Sequence, residues 1–110
     1  MSDQLLAIRY EQLDSSLLVR LSGEIDLSNA HEVQHELERA VQDRPRVVID
    51  VAEVEYLDSQ GIRLIKKLYD NVKSNGGELQ LIAPPDTFAR QAFDMARMSN
   101  IIQICDTLEG

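Results

Sequence analysis

The chain has 110 residues, of which 44% are hydrophobic and 5% aromatic, and its formal net charge is −8 at pH 7. This length and composition fit one domain, residues 1–110, with a core of aliphatic side chains. The negative charge argues against nucleic-acid binding, which needs a basic surface, and no apolar run approaches the roughly 18 residues required for membrane insertion.

The first part of the chain predicts two strands and a helix. Residues 5–10 and 17–21 are mostly apolar runs joined by a polar segment, a pattern typical of an antiparallel pair. Residues 23–29 break the second strand and offer several residues suited to a helix N-cap. From Ala30 onward, apolar residues spaced by three or four positions predict an amphipathic helix that ends before Pro45.

The second part of the chain alternates strands with helices. Residues 47–51 are a branched apolar run, typical of a strand covered on both faces. A second helix follows residues 56–61, and Gly76 and Gly77 end it. Its predicted apolar face comprises Ile62, Ile65, Leu68, Tyr69 and Val72.

A further strand at residues 78–83, a third helix after Pro84 and Pro85, and a last strand at 101–105 complete the order ββαβαβαβ. This order predicts an α/β fold, in which a mixed sheet of about five strands with parallel crossovers packs against amphipathic helices. In the third helix we expect a buried face and core packing from Phe88, Ala92, Phe93, Met95, Ala96 and Met98.

Two features of the sequence bear on the cellular location of the protein. Residues 1–5 lack the basic start of a signal peptide. Cys105 is the single cysteine, so no internal disulfide can form, and we interpret it as a small core or strand-end residue. Both observations fit a cytoplasmic protein.

Ser59 is the first candidate functional residue, because it lies at or next to the N-cap of the second helix. In the simplest interpretation its hydroxyl accepts a backbone N–H and only caps the helix. The position also suits a phosphorylation switch, since free backbone N–H groups and the helix dipole can hold a phosphate there, beside the charge of Asp58. Gly61 would leave the helix start bare, so that a partner's backbone could approach. The residues alone leave both interpretations open.

A resemblance favours the switch. Residues 56–63, YLDSQGIR, resemble the signature of bacterial anti-sigma factor antagonists of the STAS-domain type, in which an Asp precedes the phosphorylated Ser and a Gly follows two positions later. Residues 21–26, LSGEID, resemble the family's Gly-Glu-apolar-Asp turn, and residues 98–108 its short last strand. The resemblance covers nearly the whole chain. Gln60 departs from it, because the family usually has a small residue there.

The resemblance implies a non-enzymatic switch. Unphosphorylated members of the family bind an anti-sigma factor that is also a serine kinase, which frees the sigma factor. Phosphorylation of the serine that matches Ser59 separates the two proteins, and a serine phosphatase restores binding. We expect no cofactor, because the chain has no Gly-rich phosphate loop and ATP would belong to the partner.

The same resemblance implies a partner-binding surface, in which Asp26 and Asp58 match acidic residues that flank the serine. The expected set is Asp26, Ser28, Asn29, Leu57, Asp58, Ser59, Gln60, Gly61 and Arg63. Some relatives use the same fold without phosphorylation, as scaffolds or transporter-associated modules. Such a scaffold is the alternative function.

Two enzymatic interpretations are weaker. His31, Glu32 and His35 match the zinc-protease pattern HExxH. Where the extended pattern places Gly and a third His, the chain has Glu38 and Val41, and the helical periodicity puts both histidines on the solvent side. A serine hydrolase built on Ser59 would need a histidine base within reach and a Gly-flanked nucleophile turn. We therefore expect neither a metal site nor a catalytic residue.

Overall fold

The computed structural model describes residues 6–108, which form a five-stranded sheet and three α-helices. In chain order these are β1 (Leu6–Gln12), β2 (Leu17–Ile25), α1 (Ala30–Val41), β3 (Arg46–Leu57), α2 (Ser59–Ser74), β4 (Glu78–Ile82), α3 (Phe88–Met95) and β5 (Gln103–Cys105), with a 3-10 turn at Met98–Asn100. The predicted order ββαβαβαβ is confirmed. Residue 5, where the predicted first strand began, lies outside the described residues.

The strands lie side by side in the order β1-β2-β3-β4-β5. β1 pairs antiparallel with β2, and every later pair is parallel, as predicted. β2 and β3 are parallel, and their last residues, Ile25 and Leu57, pair with each other. The two strands therefore end side by side. The segments leading into α1 and α2 therefore start next to each other.

Two strands run four or more residues past their predicted ends. β2 continues through Gly23 to Ile25, so the prediction that the segment from residue 23 breaks the strand is wrong for residues 23–25. β3 continues past Val51 to Leu57. The pairing of β2 with β3 shifts register twice, and Gly23 adopts φ +115° beside the second shift. Each shift places one extra residue in β3, and a bulge of this kind bends the strand and interrupts the regular alternation of its side chains.

The main core lies between the helices and one face of the sheet. α1 buries Ala30, Val33, Leu37 and Val41, which its spacing predicted. α2 buries Leu64, which was not on its predicted face, together with Ile65, Leu68 and Val72. A smaller cluster of Leu18, Val48 and Ile82 lies on the opposite face, because neighbouring residues of a strand point to opposite sides.

The third helix differs from its predicted burial. Ala89 and Phe93, one turn apart, face the core, whereas Phe88 is 43% and Met95 87% exposed. The prediction that Phe88, Met95 and Ala96 pack in the core is therefore wrong, while Met98 is buried as expected. Cys105 is buried at the end of β5, also as expected. Within residues 6–108, each helix is too short or too polar to cross a lipid bilayer.

Candidate functional site

The site lies where β3 ends and α2 begins. Leu57 closes β3, Asp58 is the N-cap, and Ser59 is the first helical residue and is exposed. The N-terminal end of a helix carries a partial positive charge from its aligned peptide dipoles. Ser59 therefore stands at the surface, at the end of the helix that best tolerates a negative group.

Asp58, and not Ser59, caps α2. One carboxylate oxygen, Oδ1, accepts the backbone N–H of Gln60 at 2.9 Å and that of Gly61 at 3.1 Å. The Ile62 N–H donates to the Asp58 carbonyl at 3.1 Å. The capping interpretation of Ser59 is thus wrong. The expectation of free backbone N–H groups beside Ser59 is also wrong at Gln60 and Gly61, because Asp58 has already bonded both.

The second oxygen of Asp58 ties this helix start to the segment before α1. Oδ2 accepts the backbone N–H of Leu27 at 3.1 Å, and the Asp58 N–H donates to the Ile25 carbonyl at 3.2 Å. Asp58, through its side chain and its backbone N–H together, thereby joins the end of β2 and the segment after it to the start of α2.

The segment before α1 is ordered by its own polar side chains. Asp26 Oδ1 accepts the N–H of Ser28 at 2.9 Å and its hydroxyl at 2.5 Å. Asn29 Oδ1 accepts the Asp26 N–H at 2.9 Å, while Asn29 Nδ2 donates to the Glu24 carbonyl at 2.8 Å. Asp26 and Asn29 thus shape the turn, and Asn29, although at the N-cap of α1, makes no side-chain capping bond.

Gly61 faces the interior. A Cβ at this position would lie 2.9 Å from the Leu57 Cβ and 3.2 Å from the Ile25 carbonyl oxygen. The expectation that Gly61 offers bare backbone to a partner is therefore wrong, because α2 packs on the sheet at this point. Leu57 is itself only 5% exposed. These two members of the expected partner-binding set lie beneath the surface that carries Ser59.

The other expected residues lie at or near the surface. Ser28, Ser59 and Arg63 are exposed, and Asp26, Asn29, Asp58 and Gln60 are half-buried. The hydrogen bonds from Asp58 join the segment of Asp26 to that of Ser59, and Arg63 follows one helical turn later.

Sequence reasoning missed one exposed neighbour of this site. Leu27 is 75% exposed, and its N–H is the group that Asp58 binds. An isolated leucine in a polar turn matches neither helical nor strand periodicity, and that mismatch is the signal that could have marked it as a surface residue.

The histidine motif does not build a metal site in the described part of the chain. His31 and His35 are exposed, as their place in the helical pattern predicted, and their rings meet edge to face with centroids 4.6 Å apart. No group of three His, Cys, Asp or Glu residues within positions 6–108 is arranged to hold a metal ion.

A family model described as the STAS domain matches residues 7–110. The chain belongs to the STAS-domain family. This STAS domain is 30% identical over 105 residues to the anti-sigma F factor antagonist of Paenibacillus polymyxa, covering 92% of this chain and 87% of that protein. It is 28% identical over 103 residues to the anti-sigma-B factor antagonist of Bacillus subtilis, with 94% of each chain covered.

Solved structures give the same result for the fold. This STAS domain superposes on an anti-sigma factor antagonist from Mycobacterium paratuberculosis with a TM-score of 0.83 and 26% identity, covering 94% of this chain and 88% of that chain. The predicted resemblance and the predicted α/β fold are confirmed. The roles of the individual site residues stay predictions.

Proposed function

We propose that this STAS domain is a non-enzymatic anti-sigma factor antagonist whose binding is ended by phosphorylation of Ser59. The observation that carries the proposal is the exposed Ser59 at the start of α2, beside a carboxylate that already fulfils the capping role. Ser59 is therefore not needed to start the helix and is accessible for modification. The names of the relatives support the choice of partner class.

In this proposal the unphosphorylated domain binds, in the cytoplasm, an anti-sigma factor that is also a serine kinase and supplies the ATP. A serine phosphatase later removes the phosphate. The contact surface is formed by the exposed Ser28, Ser59 and Arg63 with the half-buried residues around them. Leu57 and Gly61 support that surface from below.

The electrostatics of the site support release of the partner. A phosphate adds about −1.5 to −2 charges at neutral pH, directly beside the Asp58 carboxylate. Because Asp58 occupies the N–H groups of Gln60 and Gly61, the phosphate does not find these donors free. The added charge therefore stays at the surface, where a partner must desolvate it. A 100-fold loss of affinity needs only about 2.7 kcal/mol.

The experiment is incubation of the pure domain with its cognate anti-sigma factor and ATP, followed by mass spectrometry and binding measurements. We expect one phosphate on Ser59, undiminished binding by Ser59→Ala, and binding weakened by at least tenfold in Ser59→Asp. Ser99→Asp, at an exposed serine of the 3-10 turn, is the matched control and should bind like wild type.

Equal affinity of Ser59→Ala and Ser59→Asp for the anti-sigma factor would contradict the switch. Binding that persists with no phosphate detectable on Ser59 would instead support the alternative, a STAS scaffold that assembles with its partner without phosphorylation.

A further inference from the structure

β1 is the longer of the two edge strands of the sheet. It has seven residues and pairs with β2 without a break in register, whereas β5, at the other edge, has three residues. Within residues 6–108 no strand lies on the outer side of β1. A regular edge strand of this length, without proline or glycine, is a template on which another chain can add a strand.

Arg9 lacks a counter-charge on this strand. Leu6 and Ile8 of β1 pack against the main core, so Arg9 and Glu11 point to the opposite face of the sheet. The residue directly across from Arg9 in β2 is Arg20, and like charges at such positions repel.

The carboxylates near Arg9 and Arg20 form ion pairs with Arg20 and not with Arg9. Arg20 is neutralised by Glu11 at 3.4 Å and by Asp50 at 3.6 Å, but no carboxylate of the described residues pairs with Arg9. Glu11 contacts Arg20 through Oε1, so its second carboxylate oxygen remains available to an arginine of another strand, and Arg9 to a carboxylate of another strand.

The charge pattern of β1 is complementary to itself in one antiparallel register. A twofold axis through Arg9 would set two arginines against each other, and an axis through Glu11 would set two glutamates against each other. An axis through Tyr10 sets Arg9 against Glu11 of the second copy, and does so twice, because opposed residues occupy positions equally far from the axis. We propose that β1 pairs antiparallel with β1 of a second copy of this chain, in the register centred on Tyr10.

The position and exposure of the Tyr10 side chain suit the centre of such an interface. Its hydroxyl donates to Glu36 Oε2 of α1 at 2.9 Å, so the ring is held in place while 42% of the residue remains exposed. Pairing brings the two Tyr10 rings together on the helix-covered face, where aromatic cross-strand pairs stabilise a sheet. The two sheets then join into one of ten strands, paired across residues 8–12.

This dimer leaves the Ser59 surface accessible. β2 lies between β1 and β3, so Ser59 is displaced from the interface by two strand spacings, about 10 Å. The twofold axis also reverses the direction of β3, which places the two Ser59 residues at opposite ends of the joined sheet.

Sedimentation equilibrium of the pure protein, over about 10 to 500 μM, tests the pairing through a charge swap. We expect wild type to dimerise, Arg9→Glu and Glu11→Arg each to raise the dimer Kd at least tenfold, and the double variant to return within about threefold of wild type. Lys67→Glu and Glu55→Arg are controls with the same charge changes at exposed positions elsewhere, and they should dimerise like wild type.

Three outcomes of this experiment would overturn the proposal. These are a monomer at every concentration, a double variant as weak as the single variants, and controls as damaging as the β1 variants. Thermal unfolding of each variant shows whether its fold is intact.

Disulfide trapping tests the register independently. Only the residue on the twofold axis meets its own counterpart, and opposed residues of an antiparallel pair come close enough for a disulfide. In a Cys105→Ala background we therefore expect Tyr10→Cys to form a covalent dimer under mild oxidation and Ile8→Cys to remain a monomer. Equal cross-linking of the two variants would overturn the register.

Discussion

Replacing Asp58 by alanine removes three acceptor contacts at once, those to the N–H groups of Gln60, Gly61 and Leu27. Loss of an N-cap costs about 0.5–2 kcal/mol, and each hydrogen bond to a charged group contributes about 1.5–3 kcal/mol when it is well shielded. Asp58 is only half-buried, so the lower part of each range applies. We expect Asp58→Ala to lower the free energy of unfolding by about 2–3 kcal/mol.

Two matched variants separate the contributions to this loss in the free energy of unfolding. Asp58→Asn keeps one carbonyl oxygen for the capping bonds to Gln60 and Gly61 but turns an amide donor toward the Leu27 N–H. It should therefore cost about 1 kcal/mol. Ser59→Ala should change stability by less than about 0.5 kcal/mol, because Ser59 is exposed and the cap belongs to Asp58.

Urea unfolding followed by circular dichroism at pH 7 measures all three variants. Thermal unfolding gives a second estimate, since about 1 kcal/mol shifts Tm by roughly 4–8 °C in a domain of this size. If Ser59→Ala proved as destabilising as Asp58→Ala, the assignment of the cap would be refuted. If Asp58→Asn were as stable as wild type, the separate contribution of the Leu27 contact would be refuted.

Three further predictions concern stability. Gly61→Ala should lower the free energy of unfolding by about 1–3 kcal/mol, measured by urea unfolding, because the new Cβ would lie 2.9 Å from the Leu57 Cβ. Burial and the hydrogen bond to Glu36 raise the pKa of Tyr10 to about 12 from its usual 10.0. The unfolded chain thus ionises first, and the stability advantage of wild type over Tyr10→Phe should be present below pH 10 and disappear between about pH 10 and 12 in urea unfolding. Asn29→Ala removes both side-chain bonds that order the turn before α1 and should lower Tm by several degrees in thermal unfolding.

The order of strands and helices could be predicted because each element carries its own periodicity. The face of α1 follows from a spacing of three to four residues alone. The parallel crossovers follow from the alternation of strands and helices, with no knowledge of contacts. The extensions of β2 and β3 could not be predicted in this way, since the two bulges of β3, opposite residues 20–22 and 23–24 of β2, depend on how the strands pair and not on a local pattern.

The position of the site could be predicted from the sequence, but the roles of its individual residues could not. Asp58 and Ser59 are adjacent and both residue types cap helices, so only the hydrogen bonds decide between them. The contact of Asp58 with Leu27 joins residues 31 positions apart, and no local pattern encodes it. The burial of Gly61 likewise depends on how α2 packs against Leu57.

The double use of the Asp58 carboxylate has a consequence for recognition. Two surface loops in most proteins move independently, and a binding partner must immobilise both, at an entropic cost that weakens the complex. Here the segments of Leu27 and Ser59 are already fastened to each other in the free protein. A protein that docks on either segment therefore meets both as a preformed unit, and its contacts contribute to affinity without first having to order the loops.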